Sequence, residues 1–404
     1  AHDESIGIRG VERFLGDFGL KLAGNPVKQR LPPLNGKKVA IVGSGPGGLG
    51  CAYHLRRMGY ASVIFEALDK PGGMLRAGIP AWHLPGEVLD AEIAKLLDLG
   101  GIEIRCGARV GGPDGELTLD ELADRHDAVF LALGQDVGRR LEAEGAQARG
   151  VIGALEFLRE TGLGRPVQSG KNVLVIGGGN TACDIALETA KVSARTCLSM
   201  RRGYYFLPKF ILGLPTDVMY QLLRFLPRRL LQKLVKAYLW TIQGRNDSQG
   251  LQAPDNEPLE HHPNLNSHIF RAFREGRVHP RPDATGFEGQ QAHFAGGGSE
   301  EFDVVVAATG YRISFPFLAP GAVELKDGAP PQLYLFVFPP SRRDLFFIGL
   351  VQPIGCIWPL SDLQARLVAE EIRGRWKRPR DIEARILQQA ERSHYSWANS
   401  PRHS

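Results

Sequence analysis

Three glycines near the start of the chain, Gly43, Gly45 and Gly48, have the spacing G-x-G-x-x-G. They follow the apolar run Val-Ala-Ile-Val, which is typical of a strand buried on both faces, and they precede a helical pattern. Gly43 permits a tight turn, Gly45 lets the backbone approach a pyrophosphate, and Gly48 allows helix and strand to pack closely. The helix N-terminus attracts phosphates, and Glu66, at the end of the next apolar run, can accept ribose hydroxyls. The pattern therefore predicts a dinucleotide site; a glycine-rich turn without a ligand is the alternative.

A second motif, G-x-G-x-x-A, comprises Gly177, Gly179 and Ala182 and follows another apolar strand pattern. The next strand ends in Arg201 and Arg202, where the first motif has an acid. An acid would repel a 2′-phosphate, whereas a guanidinium group can donate two hydrogen bonds to it. The second site is therefore predicted to prefer NADP(H) over NAD(H). The alternative is a solvated pair of surface arginines.

One glycine motif is followed by an acidic residue and the other by two arginines, which indicates two different dinucleotides in one chain. The economical pair is FAD at the first site and NADPH at the second, so that hydride passes from NADPH to the flavin and electrons pass onward. Hydride transfer needs no side-chain acid or base, and we therefore predict an oxidoreductase without a catalytic side chain of its own.

The amino-acid composition narrows the classes of protein that remain possible. The chain has 404 residues, of which 43% are hydrophobic and 23% charged, as in ordinary globular proteins of two or three domains. The net charge of +5 fits anionic ligands, and the chain has no arginine-rich block interleaved with aromatics that would indicate nucleic acid. Five isolated cysteines without a C-x-x-C pair predict no metal site and favour a reducing cytoplasm. No run approaches the roughly 18 apolar residues of a membrane span.

The repeated pattern predicts an α/β fold with two Rossmann-like dinucleotide-binding domains, in which the NADP domain interrupts the FAD domain. The chain is expected to cross back along the strand pattern FDVVVAATG, which echoes DAVFLALG in the first domain. The predicted segments are a leader helix with a linker (1–36), the FAD domain (37–165 and 301–376), the NADP domain (166–300) with a helical insert (204–262), and a loose tail (377–404).

The insert contains an amphipathic helical pattern over 218–240 that is broken at Pro227. Its wide apolar face is largely surrounded by arginines and lysines. A helical lid packed on the core is favoured over an element lying on a membrane surface, because apolar helix faces more often bury against protein.

The first half of the chain resembles the small subunit of glutamate synthase and its relatives, and the second half resembles flavin-containing monooxygenases. The first resemblance rests on IRGVERFLGDFGL, GKKVAIVGSGPGGLGCAYHLRRMG, FEALDKPGGMLRAGIPAWHLPGEVLDAEI, DAVFLALG, GALEFLRE and VLVIGGGNTACD. The second rests on LSMRRGYYFLPKF, HPNLNSHIF, VHPRPDATGFEG, EFDVVVAATGYRISFPFL and DLFFIGLVQPIGCIWPLSDLQARLVAEEI.

These resemblances, together with the two fingerprints, imply a set of cofactor contacts. The expected FAD contacts in the first domain are Gly43, Ser44, Gly45, Pro46, Gly48, Glu66, Gly73, Met74 and Gly134. The expected NADP contacts are Gly177, Gly179, Asn180, Thr181, Arg201 and Arg202. The monooxygenase resemblance adds Gly349, Gln352 and Pro353 near the flavin, and Thr309, Gly310 and Tyr311 at the domain crossing.

The chain departs from both families. Monooxygenases of this class carry F-x-G-x-x-x-H-x-x-x-(W/Y/F) before the second glycine motif, where this chain reads GALEFLRETGLGRPVQSGKN without a histidine. Their asparagine-bearing segment beside the flavin is replaced by GIPAWHLPGEVLDAEI. Glutamate synthase small subunits carry an N-terminal iron–sulfur module, which this chain lacks. Because the chain starts at Ala1 rather than at a methionine, such a module upstream, or a partner, is an expected route for the electrons.

Three functions therefore stay open. The first is an NADPH-dependent FAD oxidoreductase that passes electrons to a partner protein, a cluster or a small acceptor. The second is an NADPH- and oxygen-dependent monooxygenase acting on nitrogen, sulfur or a ketone, whose insert would shelter an apolar substrate. The third is a dinucleotide-binding protein without turnover.

Overall fold

The computed structural model divides the chain into two compact units, the first formed by residues 1–136 and 313–404 and the second by residues 137–312. The structure describes residues 8–22, 24–79, 84–111, 117–134, 137–162, 164–165, 170–208, 210–211, 213–223, 225–258, 264–266, 268–312, 315, 318, 332–351 and 357–392.

The helices and strands alternate in both units, as the repeated pattern predicts. The helices are α1 (Ile8–Lys21), α2 (Pro46–Arg57), α3 (Met74–Ala77), α4 (Gly86–Leu97), α5 (Leu119–Arg125), α6 (Ala154–Gly162), α7 (Asn180–Thr189), α8 (Thr216–Leu223), α9 (Arg228–Gln243), α10 (Ile269–Arg274), α11 (Trp358–Ile372) and α12 (Ile382–Arg392). The strands are β1 (Lys38–Val42), β2 (Ala61–Phe65), β3 (Ile102–Arg105), β4 (Ala128–Leu131), β5 (Val137–Gly138), β6 (Val151–Gly153), β7 (Asn172–Ile176), β8 (Arg195–Ser199), β9 (Phe206–Leu207), β10 (Phe210–Ile211), β11 (Leu214–Pro215), β12 (Asn264–Leu265), β13 (His279–Arg281), β14 (Ala284–Glu288), β15 (Gln291–Phe294), β16 (Ser299–Glu301), β17 (Val304–Ala307), β18 (Tyr311–Arg312) and β19 (Leu345–Phe347).

The first unit is built on a parallel sheet of strand order β19-β4-β1-β2-β3. Its central strand β1 is apolar after Lys38 because both of its faces are covered, and Val39, Ala40 and Ile41 have no exposed surface. Helices α2 and α11 pack against each other over this core. The strand order reverses beside β1, so the first glycine turn lies at the carboxyl edge where open α/β sheets bind ligands.

The second unit repeats this plan with the parallel order β13-β8-β7-β17-β6 and adds an antiparallel sheet, β14-β15-β16. Strands β6 and β17 belong here, although the sequence pattern placed them in the FAD domain. Val151 pairs with Val305, and this pairing across the chain draws both segments into the second sheet. The second glycine turn follows the central strand β7, in the same position as the first turn after β1.

The insert forms two helices, α8 and α9, and the chain breaks between them before Pro227 as its sequence indicates. Leu231 and Leu239 on α9 are buried, whereas Leu230 is 45% exposed and Leu234 is 48% exposed. The apolar face is therefore only partly covered by the unit that carries it. In the part of the chain that the structure describes, every helix is too short or too polar to cross a bilayer.

The leader sequence forms α1 as predicted and is tied to α4 by a hydrogen bond from Lys95 Nζ to the Gly19 carbonyl. Its periodic apolar side chains are nevertheless largely exposed; they are Val11, Phe14, Leu15, Phe18 and Leu22. The apolar face of the predicted leader helix is thus open to solvent.

The segment after α11 differs from the loose tail that its polar composition predicts. Arg378 is buried, donates hydrogen bonds of 2.7–3.0 Å to three carbonyls within residues 339–343, and pairs with Glu371 at 2.7 Å. Its guanidinium lies 4.9 Å from the ring centroid of Phe338 and 5.1 Å from that of Phe346. Burial lowers the pKa of Arg378 and raises the pKa of Glu371, so these contacts must offset the loss of hydration.

Replacing Arg378 by lysine is expected to lower the free energy of unfolding by about 2 kcal/mol. An ammonium group cannot reach three carbonyls and a carboxylate together, nor lie flat against two rings. Urea unfolding followed by fluorescence measures the change. The matched Arg385→Lys variant alters an exposed arginine paired with Asp381 and should unfold as the parent does. Coinciding transitions for the two variants would contradict this account of Arg378.

Candidate cofactor sites

The first glycine turn has the shape that its spacing predicts. Gly43 has φ +103°, a conformation that favours glycine, and a Cβ on Gly48 would collide with the Gly43 carbonyl oxygen. Gly45 is the N-cap of α2, Pro46 is the first residue of the helix, and a Cβ on Gly45 would meet no atom of the described residues within 4 Å. The partly exposed N-terminus of this twelve-residue helix and the open space at Gly45 fit a pyrophosphate group.

Gly73 and Met74 lie beside this turn. A Cβ on Gly73, which has φ +51°, would stand 2.9 Å from the Cα of Gly45, so the two backbones are in contact. Met74 begins the short helix α3 and is 38% exposed. Gly134 follows β4 with φ +65° and open space around its Cα. The structure thus brings Gly73 against the glycine turn and places Gly134 beyond the end of a neighbouring strand.

Glu66 is buried, and its carboxylate is held by Ser44. One carboxylate oxygen accepts hydrogen bonds from the Ser44 N–H, at 3.0 Å, and from the Ser44 hydroxyl; the other accepts from the Leu68 N–H at 2.9 Å. The Ser44 hydroxyl in turn accepts from the Gly72 N–H at 3.0 Å. A carboxylate offers about four acceptor positions, so Glu66 retains one for a ribose hydroxyl. The first site therefore fits the adenosine half of FAD.

Replacing Ser44 by alanine is expected to weaken FAD binding about tenfold, because the carboxylate of Glu66 loses one of its three donors and the Gly72 N–H loses its acceptor. Titration of the apoprotein with FAD, followed by flavin fluorescence, measures the change. Ser62 provides the matched control, since it is equally buried and its Oγ has no hydrogen-bond partner among the described residues. Equal FAD affinities of Ser44→Ala and Ser62→Ala would contradict the role of the hydroxyl.

Gly349 follows the last strand of the first sheet with φ +83°. Its N–H donates to the side-chain oxygen of Gln364 on α11 at 3.0 Å, and the Gln364 amide donates to the Leu335 carbonyl at 3.2 Å. Gln364 was not identified from the sequence, although a polar residue in a helix directly after a glycine-ended strand was a usable signal. Gln352 and Pro353 lie outside the described residues.

The second glycine turn repeats the first. Gly177 has φ +133°, and Gly179 is the N-cap of α7, where an added Cβ would have no neighbour within 4 Å among the residues that the structure describes. Asn180 opens the helix, and its side-chain oxygen is buried without a partner in the described part of the chain, so it can receive a donor from a ligand. The Thr181 hydroxyl lies 2.9 Å from the Tyr311 hydroxyl.

Arg201 and Arg202 follow β8 one and two residues beyond the position that corresponds to Glu66 after β2, and Met200 occupies that position itself. Arg201 is exposed and lies near Asp283; burial raises the pKa of Asp283, and the positive charge of Arg201 opposes this shift. Arg202 lies with its guanidinium carbon 5.8 Å from the ring centroid of Tyr204. Neither Asp283 nor Tyr204 was singled out from sequence, because nothing in the motif spacing points to them.

Thr309 and Gly310 hold together the two ends of the second unit. The Thr309 hydroxyl donates to the Arg139 carbonyl at 2.9 Å, and the Arg139 N–H donates to the Gly310 carbonyl at 2.9 Å. Tyr311 continues this contact by pairing with Gly138 in the β5–β18 ladder. The observed role of these residues is thus to join the two segments where the chain enters and leaves the unit.

Comparison with protein families gives two overlapping matches. The model of the pyridine nucleotide-disulphide oxidoreductase family matches residues 37–212, and that of the flavin-binding monooxygenase-like family matches residues 164–402. The first match covers the FAD fingerprint and both glycine turns, and the second covers more than half of the chain.

Curated relatives show the same division. The chain is 38% identical over 216 residues to the NADP(+)-dependent formate dehydrogenase subunit beta of Moorella thermoacetica, covering 48% of this chain and 30% of the relative. It is 34% identical over 205 residues to the glutamate synthase [NADPH] small chain of Bacillus subtilis, covering 48% and 40%. It is 34% identical over 247 residues to human flavin-containing monooxygenase 5, covering 58% and 46%. The chain thus spans less than half the length of each of these relatives.

A solved structure supports the fold. The complex of OTEMO with FAD and NADP superposes with a TM-score of 0.67 at 15% identity, covering 90% of this chain and 91% of that chain. The predicted double resemblance and the fold of two dinucleotide-binding domains are confirmed, and the two family matches confirm the expected flavin and pyridine-nucleotide cofactors. The chain belongs to the flavin-binding monooxygenase-like family.

Proposed function

We propose that this chain takes reducing equivalents from NADPH into FAD bound at the first glycine turn and passes them to a separate acceptor. The observation that carries the proposal is the contrast between the two turns. The first ends in a buried, hydrogen-bonded Glu66, which suits an unphosphorylated ribose, and the second ends in Arg201 and Arg202, which suit a 2′-phosphate.

Bound FAD would supply hydride acceptance and onward electron transfer, and the residues of the chain bind and orient the two nucleotides. The N-terminus of α2 neutralises pyrophosphate charge through its free N–H groups, and Glu66 accepts from the adenosine ribose. The N-terminus of α7 does the same for the second nucleotide, where the Asn180 oxygen has no hydrogen-bond partner among the described residues and would accept from a ligand donor. Gln364 fixes Gly349 to α11, whose positive N-terminal end would favour negative charge on a reduced flavin.

A partner protein, an iron–sulfur cluster or a small molecule is the proposed acceptor. The absence of the histidine-bearing monooxygenase fingerprint before the second glycine turn supports transfer of electrons rather than insertion of oxygen. The relatives from Moorella thermoacetica and Bacillus subtilis are named as a subunit and a small chain, which supports a protein partner. A reducing cytoplasm is the proposed location, because the free thiols of Cys51, Cys183 and Cys197 are buried in the two cores.

An oxygen-inserting monooxygenase is the second candidate. It is supported by the family match over residues 164–402 and by the partly uncovered apolar insert, which could receive an apolar substrate.

The two candidates separate in one experiment on the FAD-loaded chain. The protein is mixed with NADPH without oxygen, and bleaching of the flavin absorbance is followed with NADH as the comparison. Ferricyanide is then added to one sample, and ¹⁸O₂ with methyl phenyl sulfide to another. Rapid ferricyanide reduction with hydrogen peroxide as the oxygen product supports the proposal. Labelled sulfoxide in amounts matching NADPH consumption would replace it with the second candidate, and failure of NADPH to bleach the flavin would overturn both.

A further inference from the structure

The ring of Tyr204 lies directly on the second glycine turn. A Cβ on Gly178 would collide with three carbons of this ring, and no positive φ requires glycine there, so the missing side chain serves the packing of the tyrosine. The Gly178 carbonyl accepts a hydrogen bond from the side-chain amide of Asn264, which fixes the turn from another direction. Tyr204 and the glycine turn are therefore one packed element.

The Tyr204 ring also contacts the side chain of Arg202. Its guanidinium carbon lies 5.8 Å from the ring centroid, within the range of a cation–π contact. Such a contact limits the rotamers of a long side chain and holds its charge beside the turn where a nucleotide would bind. The positive charge of Arg201 lowers the pKa of Asp283, whereas burial raises it, so Arg201 lies near a carboxylate and Arg202 lies near the ring of Tyr204.

Two side chains further along the insert bind the backbone of the segment that contains Tyr204. The side-chain amide of Asn246 donates to the Tyr204 carbonyl at 3.1 Å, and that of Gln243 donates to the Phe206 carbonyl at 2.8 Å. A Cβ on Gly203 would collide with backbone atoms further along the insert. The segment that carries Arg202 is thus anchored by the C-terminal end of α9 and the turn after it.

We propose that Tyr204 is a positioning residue that holds Arg202 for the 2′-phosphate of NADPH, and that the insert sets the nucleotide preference by holding Tyr204. This inference rests on the proposed function, because it takes the second glycine turn as the NADPH site. It gives the insert a role in nucleotide binding, which is separate from covering the core as a lid and from lying on a membrane surface.

The test is isothermal titration calorimetry of the FAD-loaded full chain with NADP⁺ and with NAD⁺. Tyr204→Ala should weaken NADP⁺ binding about fivefold and change NAD⁺ binding less than about twofold, because NAD⁺ has no 2′-phosphate for Arg202 to contact. Tyr204→Phe keeps the ring and should restore NADP⁺ binding. Asn246→Ala should weaken NADP⁺ binding in the same selective way, by about twofold to threefold.

Tyr53→Ala is the matched control, since Tyr53 carries Arg57 5.4 Å from its ring centroid but lies in the first unit. It should leave the ratio of NADP⁺ to NAD⁺ affinity unchanged. Equal weakening of both nucleotides by Tyr204→Ala, or no restoration by Tyr204→Phe, would overturn the inference. If Tyr204→Ala does not fold, the test rests on Asn246→Ala alone. An Asn246→Ala protein that does not lose NADP⁺ affinity selectively would then overturn the inference. An unchanged NADP⁺ affinity in Arg202→Ala would instead count against the proposed NADPH site.

Discussion

Replacing Gly45 by leucine is expected to yield a folded but colourless protein that no longer retains FAD. Gly45 has ordinary backbone angles, and in the described part of the chain no atom lies within 4 Å of an added Cβ, so the fold itself can accept a side chain. That open space is the place where the pyrophosphate would approach the N-terminus of α2, and a leucine side chain would fill it. Affinity for FAD should fall by more than about a thousandfold, since the phosphates lose their contact with the helix N-terminus altogether.

The matched variant is Gly50→Leu, which places the same side chain five residues further along α2, where a Cβ likewise has no atom of a described residue within 4 Å. It should purify yellow, with the flavin-to-protein absorbance ratio of the parent. Circular dichroism and thermal unfolding of both apoproteins establish that each variant is folded. A yellow Gly45→Leu protein with full flavin occupancy would refute the assignment of FAD to this turn.

The glycine turns show what sequence can predict about such a site. Spacing alone placed Gly43, Gly48 and Gly177, because positive φ angles and close backbone contacts leave no alternative to glycine there. The same local reasoning gave the central strands, whose burial on both faces requires continuous apolar residues. It also gave the helices of the insert and their break before Pro227.

Features that depend on contacts between segments far apart in the sequence could not be predicted from local sequence patterns. Whether β6 joins the first or the second sheet depends on its pairing with β17, about 150 residues later, and both strands have sequences that suit either sheet. Arg378 was assigned to a loose tail because its neighbours are polar, yet its partners come from an earlier loop and from α11. A charged residue is buried when such partners exist, and local sequence does not reveal them.

The candidate cofactor sites also contain contacts that local sequence patterns did not predict. Glu66 was identified by its place at the end of β2, but its bond with the Ser44 hydroxyl depends on how two turns meet. Likewise, Arg201 and Arg202 were identified by their place after β8, whereas the Tyr204 ring beside Arg202 and the Asn246 amide that binds the Tyr204 carbonyl were not. Motifs thus locate the residues that touch a ligand, and the fold supplies the residues that orient them.

The arginine pair carries the second large prediction. Changing Arg201 and Arg202 together to alanine should weaken NADPH binding by on the order of a hundredfold, because two charge-assisted hydrogen bonds of about 1.5 kcal/mol or more each are lost. NADH lacks the 2′-phosphate, so its binding and its rate of flavin reduction should change less than about threefold. Stopped-flow reduction of the flavin at increasing concentrations of each nucleotide measures both effects.

The control for this variant removes two positive charges from the same unit without touching the glycine turn. Arg271 and Arg277 are exposed and both pair with Glu275, and their double alanine variant keeps the overall charge equal to that of the test variant. General attraction of an anionic nucleotide would lower NADPH and NADH binding alike in both double variants and would weaken with salt. Recognition of the 2′-phosphate predicts instead a loss confined to NADPH and to Arg201 and Arg202. If NADPH and NADH respond equally, the arginines act only through net charge, and the preference for NADPH must come from another part of the site.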